Sequence, residues 1–275
     1  MDDGRIPDAR FLASRLSLAI EASREAGRVA LAHARRAGLE IMTKDDGSPV
    51  TAADREAERA IRSAVERSFP DDAVLGEEWG QSPGRSEFRW IVDPIDGTAS
   101  FIAGVPLWGS VVGVEWSDGT PPARMLIGVI HLPALGESVW ASRGGGCVHR
   151  DATGVERPAR VSMQARLDRA RFGSPSMDYY RTDDRRRLFL ELCARFGSQR
   201  GWGDCFGHLL VATGRLDCVI DPVLSPWDIA GVVPIIEEAG GRWTDWQGRD
   251  DHFSPTGVSS NGLIHERVLE LVRGR

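Results

Sequence analysis

Trp90-Ile91-Val92-Asp93-Pro94-Ile95-Asp96-Gly97-Thr98 is the stretch from which the fold is read. An apolar run stops at two carboxylates three positions apart, then a glycine and a hydroxyl. Trp90, Ile91 and Val92 show no polar alternation, so the spacing predicts a fully buried strand. Pro94 brings no N–H to a ladder and Asp-Gly favours a turn, so the strand is expected to stop there. Asp93 and Asp96 would then project from its carboxyl end, where open α/β sheets place their ligands. Two carboxylates held that close repel, share a proton or bind a cation. Read alone, the stretch is more readily an acid-rich surface turn.

Working outward, the upstream run Val74-Leu75-Gly76-Glu77-Glu78 is another short apolar approach to acids, and it offers Glu77 as a partner. Residues 11–37 carry apolar side chains at helical spacing and stop at Gly38. Residues 39–50 read as a strand with an exposed turn that includes Lys44. Thr51-x-x-Asp54 is a capping-box pattern at the head of a second helix, and it gives Asp54 an ordinary structural role. Downstream, 99–148 reads as β, with a hairpin at Ser117-Asp118-Gly119-Thr120. Gly144-Gly145-Gly146 lacks a following G-K-[ST] and reads as a turn.

Charged residues 149–171 lead into a second half. Helices are expected at 183–196 and 205–213, with a strand over 217–220 closed by Asp221-Pro222. Ser225-Pro226-Trp227-Asp228 opens a helix, with Ser as N-cap, Pro at N1 and Asp at N3. That helix stops at Gly240-Gly241. Strands near 242–246 and 257–260 and a closing helix at 262–273 finish the chain. The intermixed segments lack a regular βαβ rhythm, which points to layered sheets and helices rather than a barrel. Two lobes are expected, 1–150 with most of the acids and 151–275 with Asp228.

The chain has 275 residues, enough to bury a full core in one unit or two lobes. A net charge of −6 argues against nucleic acid as the main partner. The arginine clusters Arg35-Arg36 and Arg185-Arg186-Arg187 are short and read as solvated helix faces. The N-terminus has no apolar core of a signal peptide, and no run approaches the roughly 18 apolar residues of a membrane span. Cys147, Cys193, Cys205 and Cys218 form no C-x-x-C pair, which suits reduced thiols in a cytoplasmic protein. The histidines show no metal-ligand spacing, so any metal is expected to be held by oxygen.

Glu77, Asp93, Asp96 and Asp228 together make an all-oxygen set of the kind Mg²⁺ prefers. Two such ions about 4 Å apart clamp the attacking and leaving oxygens of an in-line displacement. If a helix begins at Gly97-Thr98, its N–H groups are available to a phosphate.

Asp93-Pro94-Ile95-Asp96-Gly97-Thr98, with Gly76-Glu77-Glu78 before it and Trp227-Asp228-Ile229-Ala230-Gly231 after it, resembles the inositol monophosphatase superfamily. Its members are Mg²⁺-dependent, lithium-sensitive phosphomonoesterases. The resemblance covers nearly the whole chain. It implies an α+β fold, a layered αβαβα sandwich, commonly a homodimer. It also implies two to three Mg²⁺ ions. Glu77, Asp93 and the Ile95 carbonyl would hold the first, and Asp93, Asp96 and Asp228 the second, with Glu77 helping a weaker third. Thr98, hydrogen-bonded to Asp54, would activate the water, while Gly97 and Thr98 N–H groups grip phosphate. Lys44 falls on the mobile hairpin that family members fold over the metals.

Within the superfamily the C-terminal half is most similar to bacterial histidinol-phosphate phosphatases. The pieces are Gly201-Trp202-Gly203-Asp204-Cys205-Phe206-Gly207, Val211-Ala212-Thr213-Gly214-Arg215, Asp221-Pro222, Thr244-Asp245-Trp246-Gln247-Gly248-Arg249 and Ser260-Asn261-Gly262. Ala99 departs from the polar residue usual after that threonine, and 250–256 lacks a glycine-rich run. Both departures bear on the substrate, not the metals. Histidinol phosphate carries an ammonium and an imidazole, so its pocket should offer carboxylates and an aromatic wall. Trp202, Asp204 and Asp221 are the candidates, with Asp96 also facing the substrate; as a plainer alternative, Asp204 caps the following helix. Other readings are a phosphatase of inositol 1-phosphate or small sugar phosphates, an adenosine 3′,5′-bisphosphate phosphatase, and a non-catalytic relative that binds phosphorylated metabolites.

Overall fold

The computed structural model describes residues 7, 9–34, 41–43 and 49–274. The chain begins with α1 (Ala9–Ala34), β1 (Ile41–Thr43), β2 (Pro49–Thr51), α2 (Ala52–Ser68), β3 (Ala73–Gly76), β4 (Gly80–Ser82), β5 (Phe88–Asp96) and α3 (Thr98–Ile102). It continues with β6 (Gly109–Trp116), β7 (Arg124–Leu132), β8 (Glu137–Ser142), β9 (Gly146–Arg150), β10 (Glu156–Pro158) and β11 (Arg171–Gly173). Next come α4 (Asp183–Arg195), β12 (Ser198–Arg200), α5 (Asp204–Ala212), β13 (Cys218–Asp221), α6 (Pro226–Ile229) and α7 (Val232–Glu238). β14 (Arg242–Thr244), β15 (Gly257–Ser260) and α8 (His265–Val272) complete it.

One sheet has the order β10-β9-β8-β7-β6-β5-β3-β4 and the other β12-β11-β13-β15-β14. The stripe of α1 (Leu12, Ala19, Ala22, Ala26) and of α2 (Ala57, Ile61, Val65) packs on Trp90, Val92, Val114, Ile127 and Val129. The opposite face, with Ile91, Val111 and Ile130, meets Leu209 and Val211 of α5 and Ile235 and Ile236 of α7. On the far side of the second sheet, Phe172, Cys218 and Ile220 pack on Leu192 of α4 and Val268 and Leu269 of α8. The layers therefore run helix, sheet, helix, sheet, helix, as the resemblance implies. No helix among the described residues is long and apolar enough to cross a membrane.

β5 corrects the expectation that the strand stops at Pro94. Asp93 pairs with Val111 and Asp96 with Gly109, three steps on β5 against two on β6. One extra residue is therefore bulged into the strand, and that bulge sets the direction of both acids. Trp90 and Val92 face α1 and α2, so Ile91 and Asp93 face the middle helices. Without the bulge Asp96 would share the face of Trp90, because a one-residue slip exchanges faces. With it, Ile95 turns to Ala30 and Ala53 while Asp96 turns to α5. The missing N–H of Pro94 falls inside this irregularity; its carbonyl accepts from Ser110 Oγ at 2.7 Å.

Three glycines bring the middle layer against the first sheet. Gly113 and Gly128 are directly paired on β6 and β7. A Cβ on Gly128 would lie 1.9 Å from Gly231 O, and one on Gly113 2.6 Å from Ala230 C. The junction of α6 and α7 therefore rests backbone to backbone on the sheet, and this seats Asp228.

Candidate active site

A cavity of about 360 Å³ opens between the first sheet and the middle helices. One wall is acidic, with Glu77, Asp93, Asp96 and Asp228, and Ile95, Gly97, Thr98 and Ala99 continue it. The facing wall holds Asp204, His208 and Asp221, with Tyr179, Trp227, Pro175, Val223, Leu224 and Ser225 around them.

Each acid arrives by a different local device. Glu77 follows β3, and its N–H donates to Val92 O at 3.3 Å, lengthening the parallel ladder by one residue. Asp93 accepts the N–H of Ile95 at Oδ1 (3.0 Å), inside the bulge. Asp96 Oδ2 accepts the N–H of Cys205 at 2.5 Å and so ties β5 to the head of α5. Asp228 sits at N3 of α6 behind Ser225 and Pro226, where Ser225 N–H donates to its Oδ2 at 2.8 Å. Oxygen atoms of Asp93, Asp96 and Asp228 lie within 4.8 Å of one another. Glu77 stands beside this trio and faces Asp93.

Removing these carboxylates from water and crowding them favours the protonated forms. Burial first, then Glu77, Asp96 and Asp228, push Asp93 well above the usual carboxylate range. Burial first, then Asp204 and Asp228, do the same for Asp96. Asp228 is pushed up to about 7 by burial, against the opposing Ser225 hydrogen bond. Among the described residues lining the cavity there is no lysine or arginine. Such a set fits a hard divalent cation, which supplies the missing positive charge through oxygen ligands.

The facing wall is also acidic. Asp204 opens α5 at φ +52, a left-handed backbone rare for a residue with a side chain. Gly203 before it provides no side-chain cap, and the Asp204 carboxylate points towards Gly97, so it does not serve as the helix cap. Burial and then Asp221 raise Asp204 to about 6. Asp221 ends β13, is 3 % exposed, and its Oδ2 has no hydrogen-bond partner. That oxygen lies 3.4 Å from His208 Nε2, while His208 Nδ1 bonds Ser259 Oγ at 2.9 Å.

The structure thus gathers Glu77, Asp93, Ile95, Asp96, Gly97, Thr98, Asp204, Asp221 and Asp228 around one cavity. Asp54 is not among the lining residues. Its Oδ2 accepts from Thr51 N and Thr51 Oγ1 at 2.8 and 2.7 Å, closing the capping box of α2. Thr98 Oγ1 instead donates to Ile95 O at 3.1 Å, so the Thr98–Asp54 hydrogen bond implied by the resemblance is not formed. Trp202 is also away from the lining; it packs edge-on to Phe206 at 6.3 Å and beneath the Arg200 guanidinium. Tyr179 and Trp227 supply the aromatic surface in its place. Lys44 lies outside the described residues.

Sequence reasoning missed Tyr179 and His208 and used Trp227 only as part of a motif. Tyr179 ends a single 3₁₀ turn, Met177–Tyr179, in a chain with two tyrosines, and no periodicity marks it. His208 is embedded in the apolar run of α5, where a histidine reads as core.

A family model described as "Inositol monophosphatase family" matches residues 12–275. A Chlorobaculum parvum protein named histidinol-phosphatase is 39% identical over 258 residues, 94% of this chain and 96% of its own. A Thermotoga maritima fructose-1,6-bisphosphatase/inositol-1-monophosphatase is 33% identical over 263 residues, 94% of this chain and 95% of its own. The solved structure of a Thermotoga maritima IMPase superposes with a TM-score of 0.82 at 30% identity, covering 95% of this chain and 97% of that one.

Proposed function

The chain belongs to the inositol monophosphatase family and is a phosphoric monoester hydrolase, and on that premise we propose that it hydrolyses L-histidinol phosphate to L-histidinol and phosphate, a step of histidine biosynthesis. The observation that carries this choice is the second acidic wall, where the buried carboxylates of Asp204 and Asp221 stand together with His208 as their neighbour, 3.4 Å from Asp221 Oδ2. A polyol needs acceptors there, but it does not need two carboxylates. An ammonium or imidazolium does, because two buried carboxylates crowded together are costly and a cationic partner relieves them. Tyr179 and Trp227 offer flat faces to an imidazole.

Glu77, Asp93, Asp96, Asp228 and the Ile95 carbonyl would hold two to three Mg²⁺ ions. When bound, Mg²⁺ supplies charge neutralisation for the phosphoryl oxygens and lowers the pKa of water. The chain's own groups do the rest. Gly97 and Thr98 begin α3, whose first N–H groups have no partner within the helix and point a positive dipole end at a phosphate. Thr98 Oγ1 donates to Ile95 O and keeps its lone pairs for the hydrogen of an attacking water. The oxygen of that water forms the new P–O bond as the ester P–O bond breaks, and the proton the water gives up is balanced by the one the leaving alkoxide takes from solvent to become the alcohol. Asp204 and Asp221 fix the organic group and orient the ester for in-line displacement. Homodimer formation and inhibition by lithium belong to the same proposal.

Purified protein with Mg²⁺ on a panel of phosphomonoesters tests the substrate. The proposal expects the highest kcat/KM on L-histidinol phosphate. An equal or higher value on myo-inositol 1-phosphate overturns it in favour of the second reading, which the likeness to the solved IMPase supports.

A further inference from the structure

Glu77 is carried by a tight hairpin. β3 pairs antiparallel with β4 as far as Gly76 and Gly80, leaving Glu77, Glu78 and Trp79 as the loop. A three-residue loop ordinarily satisfies itself with a turn and a glycine; this one has its glycine, Gly80 at φ +62, and the chain adds a buried carboxylate beside it. Glu58 of α2 has no solvent exposure and accepts the N–H of Glu78 at 2.7 Å and that of Trp79 at 3.2 Å. Arg62, one turn along α2, donates to Glu58 Oε1 at 2.7 Å. It also reaches across the hairpin to Ser82 Oγ at 2.8 Å and to the Gly80 carbonyl. Gly76 leaves the room required, since a Cβ there would lie 2.1 Å from Glu58 Oε1.

Burying a carboxylate is costly unless its lone pairs are filled, and here the filling groups are the backbone of this one loop and the arginine that braces it. A loop needed only to reverse the chain has no use for such an arrangement. We propose that Glu58 is a positioning residue: it fixes the loop backbone so that the Glu77 carboxylate meets Asp93 at the place where a divalent cation is held. The inference rests on reading Glu77 as a metal ligand. Glu58 acts through Glu77 and touches neither substrate nor cation. Support of this kind around a ligand typically accounts for 10–100-fold in metal affinity.

Three variants test it: Glu77→Gln as the reference, Glu58→Gln, and Gly76→Ala, whose new methyl displaces the Glu58 carboxylate without altering any acid. Calorimetric titration of Mg²⁺ into metal-free protein, the Mg²⁺-induced shift in melting temperature, and kcat and KM at saturating Mg²⁺ are measured for each. Glu58→Gln keeps the shape but turns an NH₂ towards one of the two loop N–H groups. Both it and Gly76→Ala should weaken Mg²⁺ binding about 10-fold, with kcat at saturating Mg²⁺ within about threefold and substrate KM unchanged. A purely structural Glu58 would lower the metal-free melting temperature and leave Mg²⁺ affinity intact, and that result overturns the proposal. If Glu58→Gln does not fold, Gly76→Ala decides by the same criterion. If Glu77→Gln binds Mg²⁺ as the parent does, the ligand reading of Glu77 itself falls, and the role of Glu58 falls with it.

Discussion

Gly128→Ala adds one methyl, on β7, to a residue that touches no part of the cavity. The new Cβ would stand 1.9 Å from Gly231 O, which is 1.1 Å inside the 3.0 Å that Cβ contacts respect. Neither side yields easily, because Gly128 is paired to Gly113 on β6 and Ala141 on β8, and Gly231 adjoins the fully buried Val232 and Ala230. Overpacking of this kind costs about 1–3 kcal/mol, which lowers Tm by roughly 5 °C for a chain of this size. The strain also travels three residues back along α6 to Asp228, away from Asp93 and Asp96 on β5. A misplacement of about 1 Å in a reacting constellation costs on the order of 10²-fold in rate. Melting curves with and without Mg²⁺, with kcat/KM on the best phosphomonoester, measure both effects. Gly201→Ala is the control, since its Cβ would meet nothing within 4 Å. A Gly128→Ala protein with parental Tm and kcat/KM within twofold would refute the reasoning that this contact seats Asp228.

Asp93→Asn should reduce Mg²⁺-dependent turnover by about 10³-fold or more while raising the melting temperature of the metal-free protein, since it removes one of the crowded carboxylates; retained activity, or a lower metal-free Tm, contradicts the reading. The contribution of Asp228 to metal-free stability should fall steadily from about pH 4 to about pH 7 and be gone above that. Asp228, near 7 in the fold against about 3.9 unfolded, keeps a proton in the native state that the unfolded chain has lost, and this stabilisation disappears as pH rises through the folded value. His131 and His265, both held near 4 by burial, act in the opposite direction, losing stability as pH falls below about 6.5. Asp228→Asn should therefore make metal-free stability rise more steeply with pH between about 4 and 7 than in the parent, and a parent–variant difference that does not change with pH removes this acid as a source of the dependence. Asp204→Asn should raise KM for L-histidinol phosphate about 10-fold and leave that for a neutral alcohol phosphate near the parental value; equal losses on both refute a role in recognising a cation.

The sequence disclosed the acids because each is announced by local grammar. Thr51-x-x-Asp54 and Ser225-Pro226-Trp227-Asp228 start helices where expected, and both capping boxes form. What it concealed depends on contacts between distant segments. Pro94 reads as a strand end, yet the β6 partner carries the pairing past it, with a bulge that no feature of residues 90–98 announces. Asp54 and Asp228 have the same motif, but only one faces the cavity, because α2 lies on the outer face of the sheet and α6 on the inner. Trp202 offers an aromatic ring in the sequence, but its packing on Phe206 is set by the turn into α5, which positions Asp204 instead. Tyr179 and His208 become visible only once β13 and α5 enclose the cavity.

The Asp96–Cys205 hydrogen bond marks a joint with a meaning for descent as well as for architecture. On one side of it lie the acids proposed for hydrolysis, seated on β5, β3 and α6. On the other lie α5, β13 and Tyr179, proposed to face the alcohol to be released. On that proposal, substitutions on the second side alter which ester is accepted more than the chemistry that cleaves it, Asp204 excepted, whose charge acts on Asp96. A lineage built on this scaffold can therefore exchange one substrate for another through intermediates that never cease to be phosphatases.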